Sequence, residues 1–191
     1  MTVRVGEHKR KTSEVDISVR TEVDGEGIFE GSSGTSFMDH MLKTLTKHSG
    51  INIRVRAEGD LKHHLIEDLA IAIGKAMLSA LGDKRGIARF GYAYVPMDDS
   101  LARAVVDLGG RAYSRIELGV KSEVIEDTKV EDIKHFLETF SQSLQCNMHI
   151  RVLYGSNDHH RIEAAIKALA LAMRRSVERV GGGVPSTKGE I

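Results

Sequence analysis

Two stretches of the chain, Leu65 to Leu81 and Ile162 to Val177, carry apolar residues at the three-to-four-residue spacing of a buried helix face. Val15 to Val23 and Leu101 to Leu108 instead alternate apolar and polar residues, the period of a half-buried strand, and each ends near glycine. Asn52-Ile53-Arg54-Val55-Arg56 matches Asn147-Met148-His149-Ile150-Arg151 as a further strand pair. Asp39-His40-Met41-Leu42 aligns with the stretch around His135-Phe136-Leu137 as a pair of helical segments, each with one histidine. Such spaced pairs predict an internal duplication, with residues 1–86 as the first half, 87–180 as the second and 181–191 as a tail. Each half reads as two strands, a helix, another strand and a second helix. Strands with helices segregated to one face define an α+β class. Glycines 25, 27, 31 and 34 punctuate the first turn region, Gly82 to Gly86 joins the halves, and Gly181 to Gly183 opens the tail. Lys121 to Asp132 mixes both charge signs and reads as a solvated connection.

The chemistry lies at the start of the two long helices. His63-His64-Leu65-Ile66-Glu67 and His159-His160-Arg161-Ile162-Glu163 repeat one pattern, His-His-x-x-Glu. Imidazole and carboxylate are common ligands of divalent transition metals. Adjacent helical residues point about 100° apart, whereas i,i+3 and i,i+4 neighbours share a face. One metal can therefore take either histidine of a pair together with the glutamate, but hardly both. With His40 and His135 added, the candidates form symmetric pairs: His40 with His135, His63 with His159, His64 with His160, and Glu67 with Glu163. Eight ligands divide into two sites of four. Ligand type alone does not choose among manganese, iron, cobalt and zinc. His8, His48 and His149 lack symmetric partners and read as surface or supporting residues.

Charge and composition narrow the classes. The 191 residues carry 27 Lys+Arg against 27 Asp+Glu, with no long basic stripe, which argues against a nucleic-acid binder. No apolar run approaches the roughly 20 residues of a membrane helix, and the charged N-terminus has no signal-peptide core. The single cysteine, Cys146, reads as a small buried hydrophobe. The expectation is a soluble cytoplasmic protein. There is neither G-x-G-x-x-G nor a P-loop, so no nucleotide cofactor is expected. Pro185-Ser186-Thr187-Lys188-Gly189 offers hydroxyls and a cation beside a turn, a small anion-binding set, although composition alone reads as a frayed terminus.

These residues together resemble a family. Asp39-His40-Met41-Leu42, both His-His-x-x-Glu motifs, Gly86-Ile87-Ala88-Arg89-Phe90-Gly91, Val95-Pro96-Met97-Asp98-Asp99, Val106-Asp107-Leu108-Gly109-Gly110-Arg111, His135-Phe136 and Pro185-Ser186-Thr187-Lys188-Gly189 resemble imidazoleglycerol-phosphate dehydratase of histidine biosynthesis. The match runs from about Arg10 to the C-terminus, and Gly155 to Ala164 followed by Lys167-Ala168-Leu169-Ala170 is its most specific part.

The resemblance implies a duplicated four-stranded sheet with two helices per half, similar to the second domain of ribosomal protein S5. It implies a dinuclear manganese centre, two Mn2+ per subunit, ligated by His40, His63, His64, Glu67, His135, His159, His160 and Glu163. It implies a homo-oligomeric shell of 24 subunits with metal sites completed at subunit interfaces. Arg89, Arg111, Ser186 and Lys188 fall where the family grips the substrate phosphate, and Lys167 is a further candidate there. Glu14 falls where the family has an acid/base carboxylate. The tail then becomes a phosphate clamp in which Glu190 takes no part.

The reaction implied removes water from imidazoleglycerol phosphate to give imidazole acetol phosphate. The leaving hydroxyl sits beside the imidazole ring, and a positioned base removes the carbon-bound proton. The chain departs from the family at three places. The acidic residue usual just before the first His-His is missing from a shortened Gly59-Asp60-Leu61-Lys62 loop. Thr44 replaces a common Gln, and Ser36 a common Pro. A dinuclear hydrolase or a metal-storage shell would use the same ligands; the first needs no imidazole ring, the second no clamp.

Overall fold

The computed structural model describes residues 2–189 and 191; Glu190 lies outside the described residues. The element order is β1(Val5–Lys11), β2(Val15–Glu22), β3(Phe29–Glu30), α1(Ser36–Ser49), β4(Asn52–Gly59), α2(Lys62–Leu81), β5(Phe90–Met97), β6(Ser100–Asp107), β7(Tyr113–Glu117), β8(Val124–Ile125), β9(Thr128–Lys129), α3(Val130–Leu144), β10(Asn147–Tyr154) and α4(Asp158–Ser176). Two four-stranded sheets result, ordered β1-β2-β4-β3 and β5-β6-β10-β7. The orders are equivalent, and in each sheet only the short third strand runs parallel to its neighbour. No described helix is long and apolar enough to cross a membrane.

Strand registers relate the sheets residue by residue. Val5 pairs with Glu22 as Phe90 pairs with Asp107, an offset of 85 on both strands. Ile53 opposes Thr21 as Met148 opposes Val106, an offset of 95 between β4 and β10. A one-residue irregularity between Val152 and Tyr154 in β10 raises the offset to the 96 that separates His64 from His160. The alternation seen in the sequence is the inward face of each sheet: Val15, Ile17 and Val19 in β2 and Ala102, Ala104 and Val106 in β6 are buried.

The helices pack crosswise between the halves. α2 covers β1 and β2 and packs on α3, while α4 covers β5 and β6 and packs on α1. Close approach is built with glycine. A Cβ on Gly6 would collide with the Ala76 carbonyl of α2, and one on the equivalent Gly91 with the Ala172 carbonyl of α4. Gly74, mid-helix in α2, admits Ser143 of α3, where a Cβ would lie 2.6 Å from the Ser143 side chain. Glycine costs a helix interior about 1 kcal/mol, so its position there is explained by the contact.

The stretch from Lys121 to Asp132 is more than a solvated connection. It holds the β8–β9 hairpin and enters α3, and Asp127 at its tip caps the other half's helix, accepting from Ser36 N at 2.6 Å and Phe37 N at 3.0 Å. Burial explains Cys146, which is fully enclosed with its thiol pushed up to about 11.

The chain's ends are joined by ions. Arg4 Nη2 donates to Asp24 at 2.6 Å and to the Val177 carbonyl at 2.8 Å, and Arg179 reaches Asp24 at 3.1 Å. The Arg4 hydrogen bond holds the Asp24 carboxyl at about 2, below its ordinary 3.8. A lowered carboxylate contributes stability above its unfolded value and loses it as pH falls through the folded one. Asp24→Asn should therefore cost about 1–2 kcal/mol at neutral pH, and the difference from the parent should vanish between about pH 4 and 2. Urea unfolding at fixed protein concentration across that range measures both.

Candidate active site

Crosswise packing assembles two His/Glu clusters, each with residues from both halves. In the first, His40 of α1 meets His159 and Glu163 of α4, with their ligand atoms within 4.8 Å of one another. His40 Nε2 lies 3.7 Å and His159 Nε2 3.4 Å from Glu163 Oε2, and Phe37 packs edge-on against the His159 ring. In the second, His135 of α3 meets His63 and Glu67 of α2. His135 Nε2 lies 3.3 Å and His63 Nε2 3.9 Å from Glu67, and the two rings stack at 5.8 Å. Both motifs thus use the first histidine and the i+4 glutamate.

The donor set fits a divalent metal. The His135 Nε2 atom is buried without a hydrogen-bond partner, an expensive arrangement for a polar atom that a cation would relieve. Burial works against charge on Glu163, yet Lys167 at 2.9 Å and the adjacent His40 and His159 hold its carboxyl below its ordinary range. A buried carboxylate that favours its ionised form beside two imidazole rings is a metal-ligand set.

His64 and His160 turn away from the clusters, as helical geometry requires of adjacent residues. His64 Nδ1 lies 2.8 Å from Asp60 and 3.8 Å from Glu14. His160 Nδ1 lies 2.6 Å from Asp99, and its Nε2 is 3.6 Å from Asp98. Asp132, buried, holds His63 Nδ1 at 2.6 Å. Three motif histidines therefore have Nδ1 engaged by carboxylate, which orients the ring and leaves Nε2 for another ligand. Asp60 pulls the His64 proton affinity upward.

A separate cavity of about 440 Å³ gathers Arg89, Arg111, Ser186 and Lys188 around the backbone of Gly109 and Gly110. Arg89 adopts a left-handed φ of 68°, held by its N donating to the Ser176 carbonyl and its carbonyl accepting from Leu108 N. Its guanidinium forks onto Asp107 at 2.6 and 3.1 Å and donates to the Pro185 carbonyl at 2.8 Å. The tail is thus seated, with Gly86 N bonded to the Gly183 carbonyl. Three cations and a hydroxyl around open backbone suit an oxyanion. Lys167 does not line this cavity. Its Nζ is held by Glu163, and Lys167 lies nine helical residues before Ser176, whose carbonyl anchors Arg89. Of the unpaired histidines, His48 lines a cavity with His40 and Lys167, His149 packs on the Tyr113 ring, and His8 is half-buried.

Asp60, Asp99, Asp107 and Asp132 were not among the residues singled out by sequence. Asp60 was findable, lying four residues before His64 at a helix start. Asp99 and Asp107 sat inside family-like motifs. Nothing marked Asp132, because its partner is 69 residues away.

A duplicated α+β chain with paired His/Glu clusters and an anion cavity defines a metal-dependent enzyme class acting on a small molecule. The family model of imidazoleglycerol-phosphate dehydratase matches residues 33–173, and the chain belongs to that family of hydro-lyases. Among its relatives, the imidazoleglycerol-phosphate dehydratase of Chlorobium phaeobacteroides is 49% identical over 192 aligned positions, covering 99% of this chain and 96% of that one. The Chlorobium luteolum protein of the same name is 50% identical over 185, covering 95% and 92%. Among solved structures, the IGPD of Pyrococcus furiosus superimposes with a TM-score of 0.83 at 36% identity, covering 96% of this chain and all of that one. The Staphylococcus aureus enzyme gives 0.82 at 32%, covering 92% and 99%.

The Asp132–His63 contact carries a prediction. Asp132→Asn should retain the fold and weaken divalent-metal binding about 10- to 100-fold, measured by chelator competition. Unchanged affinity would reduce Asp132 to a packing residue.

Proposed function

We propose that this chain converts D-erythro-imidazoleglycerol phosphate to imidazole acetol phosphate in L-histidine biosynthesis, in the cytoplasm, with two Mn2+ per subunit. The observation that carries the reading is the coexistence, in a member of this family, of two His/Glu clusters and an oxyanion cavity. His40, His159 and Glu163 would hold one ion, and His63, Glu67 and His135 the other, with His64 and His160 supplying the fourth ligands. Bound metal would contribute Lewis acidity and a template for the imidazole ring. The chain's own groups do the rest. Arg89, Arg111, Ser186 and Lys188 hold the phosphate, spending remote binding energy on orientation. Glu14, exposed beside His64, takes the carbon-bound proton, the hydroxyl next to the ring leaves as hydroxide and is protonated to water, and the resulting enol ketonises by taking a proton on the ring-side carbon and losing its hydroxyl proton.

Geometry supports assembly between copies. Thirteen helical residues separate Glu163 from Ser176, whose carbonyl anchors Arg89, a span of about 20 Å at 1.5 Å per residue. His135 and Gln145, at the end of α3, are ten residues or about 15 Å apart, and the next residue but one, Asn147, holds the Arg111 carbonyl. A substrate of one ring, three carbons and a phosphate is only roughly 10 Å long, counting bonds of about 1.5 Å. Neither cluster shares a substrate with the cavity of its own chain. The cavity of one copy serves a cluster of another, and outward-facing His64 and His160 fit the same arrangement. The 24-subunit shell implied by the family resemblance satisfies this need. Lys167, on the cluster side, is then a cation facing the phosphate held by a neighbour.

The test is turnover of imidazoleglycerol phosphate with manganese, before and after chelation, followed by subunit mixing. Glu163→Gln and Lys188→Ala assemblies should each be nearly inactive, and co-assembled mixtures should regain a substantial fraction of parental kcat. Hydrolysis of the phosphate ester in place of dehydration would overturn the reaction assigned. Inactive mixtures of folded, metal-loaded subunits would overturn the shared site.

Cutting the chain after Gly183 keeps the tail's bond to Gly86 and removes Ser186 and Lys188. Charge-assisted hydrogen bonds are worth roughly 1.5–3 kcal/mol each, so kcat/KM should fall at least tenfold with melting temperature and metal content unchanged. Unaltered kcat/KM would leave the phosphate to Arg89, Arg111 and Lys167.

A further inference from the structure

The duplication makes each half a control for the other, and the two outward histidines differ in how they are held. With the offset of 85 on the first two strands, Glu14 in the β1–β2 turn corresponds to Asp99 in the β5–β6 turn. With the offset of 96 at the motif helices, Asp60 corresponds to Ser156. Each half therefore has a carboxylate at this turn position, the second turn also carries the exposed Asp98 at 3.6 Å from His160 Nε2, and only the first half has a carboxylate in the loop before its motif helix.

The consequences show in the contacts. In the second half, Asp99 is fully committed. Its Oδ1 takes His160 Nδ1 at 2.6 Å, and its Oδ2 accepts from Ser156 N, from Ser156 Oγ at 2.8 Å and from Asn157 N at 3.0 Å. Asn157 in turn caps α4 by accepting from His159 N and His160 N. In the first half, Asp60 takes His64 Nδ1 at 2.8 Å, and Glu14 stands off at 3.8 Å with no side-chain hydrogen bond among the described residues. The loop itself is fixed to the turn by the backbone bond from Asp60 N to the Glu14 carbonyl at 3.1 Å.

We infer that Asp60 is a positioning residue that releases Glu14 from the structural duty its counterpart Asp99 performs, so that the carboxylate at this turn position is free in the first half and bound in the second. His64 needs one carboxylate on Nδ1. With Asp60 in place, Glu14 is spare; without it, Glu14 is the nearest replacement. This accounts for how a chain with the shortened loop before His63 keeps both an oriented histidine and a free base. The inference rests on the reading of Glu14 as the base for its kinetic arm and stands independently of it in its structural arm.

The test uses the full-length, manganese-loaded assembly. Asp60→Ser recreates the second half's arrangement in the first. Its crystal structure should show Glu14 within about 3 Å of His64 Nδ1. Metal content should be unchanged while kcat falls at least tenfold and KM moves less than threefold; Asp60→Glu should restore most of kcat. The mirror variant guards against misfolding of the first. Asp99→Asn alone should lose metal in chelator competition, and Ser156→Asp should restore it in the double variant. Glu14 remaining beyond 3.5 Å from His64 in Asp60→Ser, or no restoration of metal by Ser156→Asp, would overturn the inference. Glu14→Gln with undiminished kcat would remove Glu14 as base, leaving the structural exchange to be decided by the crystal structure alone.

Discussion

The site depends on the crossed packing of helices between the halves. His40 belongs to the first half and completes the cluster of the second half's motif; His135 does the reverse. Neither half holds a cluster by itself. Contact of α2 with α3 and of α1 with α4 is therefore both core burial and site assembly. Gly74 shows the constraint, since a helix-weakening residue is placed where α3 must come close. The two halves meet through these two helix pairs, so cluster geometry cannot be retained without the interface between halves.

Much of this was legible in the residue pattern because it is local and periodic. Both motif helices, the alternating strands β2 and β6, and the equivalence of the sheets follow from spacing that repeats within a few residues. The divergence of adjacent histidines was equally legible, being a property of any helix. What could not be read were partners joined only by folding. The charged stretch from Lys121 to Asp132 looked solvated, since mixed charge without periodicity usually is. In the fold it supplies Asp127 to the start of α1 and Asp132 to His63. The clusters' crossed membership was also hidden, as symmetric pairs in a sequence do not reveal which half each ligand faces.

The residues of the anion cavity illustrate a further limit. Arg89, Arg111, Ser186 and Lys188 line one cavity, and Lys167 does not join them within the chain. Helix length decides this. A motif at the start of α4 and an arginine anchored at its end are separated by the helix itself, about 20 Å from Glu163 to Ser176. Asp107 shows a related economy: it forks onto Arg89 and leaves the guanidinium's remaining edge to the tail and the cavity.

Duplication usually suggests two equal sites, but the electrostatics of the halves are not equal. Equivalent turns carry Glu14 and Asp99, and equivalent loops carry Asp60 and Ser156. A carboxylate that accepts five hydrogen bonds, as Asp99 does, is held far below its ordinary range and is a poor proton acceptor. One that stands 3.8 Å from its histidine, as Glu14 does, keeps its lone pairs available. Proton abstraction needs a base with a free lone pair in reach of the substrate. The fold thus keeps two equivalent His/Glu clusters while the carboxylates at equivalent turn positions differ, one free and one bound, through a difference of one carboxylate in a loop.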